Sequence, residues 1–144
     1  MTRRRRNSEA GITLIEMLVV VVIISLFVAL VGVNVFKKAD EAKRVQVKAQ
    51  IAELSNALGL YKLETGSYPS TAMGLQALRV KPDNVPNWNG PYLPKDVPTD
   101  TWGRPFIYTY PGQHGEEPDV VSLGADGQPG GEGNDADIVS WSNK

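Results

Sequence analysis

Cysteine is absent from this chain, histidine occurs once, at position 114, and aromatic residues make up 8% of the total. Each shortage closes an option. Without cysteine there is no disulfide staple, no thiolate nucleophile and no soft metal ligand, and the redox compartment leaves no mark. The serines have no paired base near them in sequence, so the chain is not expected to be an enzyme. His114 stands in Pro111-Gly112-Gln113-His114-Gly115. It is expected to be a loop residue making backbone hydrogen bonds rather than a ligand or general base. Trp88, Trp102 and Trp141 are expected to be core or loop anchors. Asp100-Thr101-Trp102-Gly103 is expected to be a turn pinned by its aromatic ring.

An excess of positive charge is also missing. The formal net charge is -1, with Arg3 to Arg6 at one end and Asp and Glu dominating from Asp83 onward. Without residues 1–11 the chain keeps 11 basic and 15 acidic residues, a net charge of -4. A nucleic-acid partner is therefore not expected.

What the chain does have is one long apolar run, Ile12 to Phe36, in which Glu16 is the sole acidic residue. As a helix this run extends about 38 Å, enough to cross a bilayer of about 30 Å. A secretory signal also has a basic start, but its apolar region is shorter and ends at a small-residue cleavage site. Here Val35-Phe36-Lys37-Lys38 leads straight into a charged helix. Any cut is therefore expected before the span. Lys37, Lys38, Lys43, Arg44 and Lys48 nearly balance Arg3 to Arg6, so charge counting gives only a weak vote for a cytoplasmic N-terminus. A carboxylate in lipid is expensive and usually has a partner charge. Cutting after Gly11 would create such a partner as an amine on Ile12. The plainer alternative is that Glu16 snorkels to the headgroups from the helix end.

Beyond the span, Val47, Ile51, Leu54, Leu58 and Tyr61 recur at steps of four, three, four and three, one face of a helix. The helix is predicted to run from Ile12 to Glu64, roughly 80 Å, and to stop at Gly66 before Ser67-Tyr68-Pro69. Thr71 to Val80 reads as a short helix, followed by a breaker-rich loop to Pro91. Phe106 to Tyr110, Asp119 to Leu123 and Asp137 to Trp141 read as strands. The fold class is therefore α+β: a long N-terminal α-helix, membrane-spanning in one half and amphipathic in the other, packed on a small three-stranded antiparallel β-sheet. The expected division is 1–11 leader, 12–36 span, 37–65 amphipathic half and 66–144 globular head, with a C-terminal loop at 122–137. A head this small, of roughly 80 residues, needs help from the helix, a metal or assembly.

That loop carries Asp126, Glu132, Asp135 and Asp137 among glycines at 124, 127, 130, 131 and 133. Hard oxygen ligands on a pliable backbone suit calcium. The spacing is not that of an EF-hand, and Gly130-Gly131-Glu132-Gly133-Asn134-Asp135 is a single copy of a β-roll repeat that cannot stack alone. The alternative is a solvated acidic turn.

Gly11-Ile12-Thr13-Leu14-Ile15-Glu16 after an arginine leader resembles the type IV prepilin signal. Tyr61-Lys62-Leu63-Glu64, Tyr68-Pro69, Gly74-Leu75-Gln76-Ala77-Leu78, Pro98 to Pro105, Pro111 to Gly115 and Ser122 to Gly127 resemble the major pseudopilins of type II secretion systems, the G-type pseudopilins of the type IV pilin-like superfamily. The resemblance covers nearly the whole chain. It implies a single-pass protein of the bacterial inner membrane, with a cytoplasmic N-terminus and a periplasmic head. Prepilin peptidase would cut after Gly11, and Ile12 would be N-methylated. The product would polymerise into a periplasmic filament that drives export of folded proteins across the outer membrane. The partners implied are further copies of the chain, minor pseudopilins, an inner-membrane assembly platform and its cytoplasmic ATPase. In such filaments the residue matching Glu16 pairs with the amine of an adjoining subunit. The resemblance also implies a calcium site formed by the Leu123 carbonyl with Asp126, Asp135 and Asp137, completed by a carbonyl from Gly133 or Asn134. Three positions depart from the family pattern. Ile12 replaces the usual phenylalanine, and Ser25 and Val33 stand where a glycine and a proline are common. The competing readings are a major type IV pilus subunit, which usually carries a cysteine pair, and a bitopic protein with a calcium-binding head that never polymerises.

Overall fold

The structure, a computed structural model, describes residues 11–142, without the side chains of residues 32–37. The expected leader, apart from Gly11, lies outside the described residues. Two compact units divide at Lys38.

The dominant element is helix α1, Leu14–Thr65, of 52 residues. It begins two residues later than the periodicity predicts, because Thr13 stays outside the helix and caps it. Within the first unit, Leu14–Val31 has a mean hydropathy of 3.1 and no buried residue, so it is long and apolar enough to cross a membrane. Ser25 Oγ donates to the Val21 carbonyl at 2.7 Å, which satisfies the hydroxyl inside the helix. The backbone stays helical across Gly32 and Val33.

In the second unit α1 buries the stripe the sequence marks: Val47, Ile51, Leu54, Leu58 and Tyr61. These side chains meet Leu75, Leu78, Leu93, Phe106, Tyr108, Val120 and Ile138 in one core. Burying each such aliphatic side chain stabilises the fold by about 1.5–3 kcal/mol, which is why this half of α1 is anchored. The helix stops as expected, with Gly66 N–H donating to the Lys62 carbonyl at 2.8 Å.

The helix expected over Thr71 to Val80 is reduced to a 3-10 turn, Leu75–Leu78. Gly74, at φ 62 and ψ -167, interrupts any regular helix there. Thr71 is also engaged far from its own segment, since its Oγ1 accepts the Tyr110 N–H and donates to the Tyr110 carbonyl, both at 2.9 Å. This side chain thus occupies backbone groups at the end of an edge strand, where an exposed edge invites unwanted pairing.

The sheet is three-stranded and antiparallel, as expected, in the order β1 (Ile107–Thr109), β2 (Asp119–Ser122), β3 (Ile138–Val139). Each strand is shorter than its sequence signal, and side chains take up backbone groups beside the ends of β1 and β3. Ser140 Oγ, for example, accepts the Val120 N–H at 3.1 Å. The architecture is α+β.

Candidate functional site

The head of α1 explains its own position. Thr13 Oγ1 accepts the Glu16 N–H at 3.3 Å while the Thr13 carbonyl accepts Glu16 and Met17 N–H at 3.1 and 3.2 Å. Thr13 is therefore the N-cap, and Thr13-Leu14-Ile15-Glu16 has the threonine-to-glutamate spacing of a capping box. That signal was present in the sequence and is independent of the charge argument for Glu16. The carboxylate in the first turn also complements the positive end of the helix. Gly11, Ile12 and Thr13 are consequently non-helical and exposed. Among the described residues Glu16 has no ion-pair partner.

The glycine-rich loop is held by backbone bonds between its limbs: Ala125 N–H to Asn134 O at 3.2 Å and Asp137 N–H to Gly130 O at 3.1 Å. Gly124 sits at φ 65, and a Cβ there would lie 2.5 Å from the Asp135 carbonyl oxygen. Only glycine permits this approach. Asp126 Oδ1 accepts the Gln128 N–H at 3.0 Å, and Asp137 Oδ2 accepts the Gly130 N–H at 3.0 Å. Asp135 is exposed. The Leu123 carbonyl accepts Gly127 N–H at 3.2 Å. Among the described residues no three acidic or histidine side chains are gathered around one point, so Asp126, Asp135 and Asp137 do not form a carboxylate cage. What the loop does present is a pair of buried oxygens without a partner, Asn134 Oδ1 and Asp137 Oδ1.

Residues 34–141 match the family described as type II secretion system (T2SS), protein G, and residues 6–32 match the prokaryotic N-terminal methylation motif. The chain belongs to the type II secretion system protein G family. It is 46% identical to the type II secretion system core protein G of Pseudomonas aeruginosa, over 96% of this chain and 99% of that one. The Vibrio cholerae core protein G is 41% identical, over 96% and 95%. The crystal structure of the major pseudopilin from the type 2 secretion system of enterohaemorrhagic Escherichia coli superposes with a TM-score of 0.63 at 34% identity, covering 76% of this chain and 95% of that one. The family is one of structural pseudopilins.

Two features of this protein G family member escape a sequence reading. The turn at 100–104 is organised by a carboxylate as well as by Trp102, which packs against the core as expected. Asp100, 4% exposed, accepts Trp102 and Arg104 N–H through Oδ1 at 3.0 and 2.9 Å, and Ser122 Oγ–H through Oδ2 at 2.7 Å. Second, among the described residues the His114 ring makes none of the expected backbone bonds. Its Nδ1 lies 2.9 Å from Asp119 Oδ2, and its ring stacks on Trp141 at 3.7 Å between centroids. Trp141 therefore anchors the C-terminal end on His114, outside the core. Trp88 is a loop anchor as expected, donating Nε1–H to the Ala77 carbonyl at 2.7 Å. The Tyr108 hydroxyl donates to the Pro69 carbonyl at 2.7 Å, and burial pushes its pKa well above the ordinary value.

Proposed function

We propose that this chain is the major subunit of a type II secretion pseudopilus, a homopolymer whose growth moves folded proteins across the outer membrane. The observation that supports this most is the exposed apolar face from Leu14 to Val31, headed by one carboxylate. Lipid covers such a face before assembly, and the helices of other copies cover it afterwards. Glu16 in lipid carries a cost of several kcal/mol. Cleavage by prepilin peptidase after Gly11, in the non-helical stretch before Thr13, would place an N-methylated amine on Ile12. The amine of one subunit and Glu16 of the next would then remove much of that cost together. In this reading the N-terminus is cytoplasmic and the head periplasmic, and an inner-membrane platform with its cytoplasmic ATPase drives growth while minor pseudopilins join the filament. The test is Glu16→Ala in cells that overproduce the chain. The variant should insert and be cut, with mass spectrometry finding a methylated Ile12 terminus, yet thin surface fibres should be scarce. Abundant fibres from the variant would refute the charge-pairing argument.

The loop is proposed to hold calcium. Calcium accepts six to eight oxygens and takes carbonyl and amide oxygens as readily as carboxylates. The donor set therefore does not depend on a cage of three acids. Asp137 Oδ1 and Asn134 Oδ1, both buried and unpartnered, are the oxygens that such an ion would satisfy. The Leu123 carbonyl and Asp126 would join them, with Asp135 at the rim. The ion would supply a charge that ties the two limbs of an acidic loop together. Chelation should lower the melting temperature, and Asp126→Ala should remove that response. Equal melts with and without chelator would overturn the calcium reading.

A further inference from the structure

Each limb of the glycine-rich loop is gripped from outside by an arginine. Arg104, on the turn built around Asp100, donates Nη1–H to the Gly124 carbonyl at 2.8 Å and Nη2–H to the Ala125 carbonyl at 3.0 Å. Its guanidinium lies so close to Gly127 that a Cβ there would stand 2.6 Å from Nε. Arg44, on α1, donates Nη1–H to the Ala136 carbonyl at 2.6 Å and reaches the Asn134 carbonyl at 3.4 Å. The second limb is thereby tied to the helix and the first to the Asp100 turn.

These grips decide which oxygens remain. The carbonyls of Gly124, Ala125, Asn134 and Ala136 all accept guanidinium protons. Asn134 O also accepts the Ala125 N–H. Of the loop's buried side-chain oxygens, Asn134 Oδ1 and Asp137 Oδ1 are left without a donor. A guanidinium has a planar fork whose donors are fixed relative to one another, so it sets the position of the carbonyls it holds. Lysine brings the same charge as a single point on a flexible stem, so it cannot reproduce the two-nitrogen grip of Arg104, and at Arg44, where Nη1 alone makes both bonds, its shorter stem loses the reach.

We propose that Arg44 and Arg104 are positioning residues for calcium in this loop: they fix its two limbs at the separation the ion needs, and neither touches the ion. The inference rests on the calcium reading above. It also accounts for two cationic groups beside an acidic cation site, where simple charge counting would disfavour them.

The test uses full-length protein in detergent and the charge-preserving variants Arg104→Lys and Arg44→Lys. Calcium affinity is read by isothermal titration, and thermal stability is measured separately in chelator. Each variant should bind calcium at least tenfold more weakly than wild type, and its calcium-dependent rise in melting temperature should shrink. A merely structural role would lower the melt in chelator and leave the dissociation constant within twofold, and that result overturns the proposal. The arginines come from different elements, so if one variant fails to fold the other still decides. A wild-type chain that binds no calcium overturns the calcium reading and this inference together. Wild-type binding with unchanged variants overturns this inference alone.

Discussion

Asp100→Ala is the substitution that most directly exposes how the head is held together. The carboxylate is 4% exposed and accepts the N–H groups of Trp102 and Arg104 and the hydroxyl of Ser122. Hydrogen bonds to a charged group contribute about 1.5–3 kcal/mol each, and a donor left buried without a partner adds its own desolvation cost. Ser122 is buried, so its hydroxyl has little access to water, whereas the two backbone donors sit in a partly exposed turn. Taking the low end for each of the three bonds gives a loss of about 4.5 kcal/mol. For a domain of about 100 residues this lowers the melting temperature by roughly 18 °C or more. Circular dichroism melts of the full chain in detergent measure it. Asp100→Asn keeps an acceptor toward the backbone and an amide toward Ser122 Oγ, so it should lose less than half as much. Because the Asp100 turn carries Arg104, the alanine variant should also release the Gly124 limb, seen as faster hydrogen exchange at residues 124–128. An alanine melt within about 5 °C of wild type would mean that the turn is held by backbone geometry alone, and the reasoning would fail.

Gly124→Ala should cost at least about 3 kcal/mol because its Cβ would meet the Asp135 and Ala136 carbonyl oxygens at 2.5 and 3.0 Å. Gly133→Ala has the same kind of backbone, φ 59, but open space around it, so about 1 kcal/mol is expected. Equal losses in urea titrations would contradict this pairing of strain with contact. Leu54→Ala empties a fully buried core position and should cost about 2–5 kcal/mol in the same titrations. Tyr108 has a raised pKa in the folded chain because burial disfavours the phenolate. Its contribution is fully present below the unfolded value of about 10 and is lost as pH rises toward the higher folded value. Stability should therefore fall above about pH 10, and Tyr108→Phe should flatten that fall. An unchanged pH profile in the variant would show that other groups carry the alkaline loss.

Local pattern was a reliable guide wherever one element's own residues decide its fate. The stripe Val47, Ile51, Leu54, Leu58 and Tyr61 is buried as its spacing requires, Gly66 ends the helix, and the apolar run to Val31 stays uncovered. The β-branched and aromatic runs became the strands of the expected antiparallel sheet. The short helix at 71–80 misled, because Thr71 is claimed by Tyr110, distant in sequence. His114 misled likewise, since its partners Asp119 and Trp141 lie on other segments.

By itself, then, the chain's order of residues determined a membrane-length helix with a carboxylate at its head, an amphipathic continuation, and a small sheet followed by an acidic glycine loop. Helical periodicity, capping and turn preferences act over a few residues, so they can be read in one dimension. Only tertiary structure decided that Asp100 organises the turn, that Arg104 and Arg44 grip opposite limbs of the loop, and that Asn134 and Asp137 keep buried oxygens without partners. Those bonds join residues up to 92 positions apart, and a partner that far away is chosen by the packing of the whole head rather than by any neighbour in the chain.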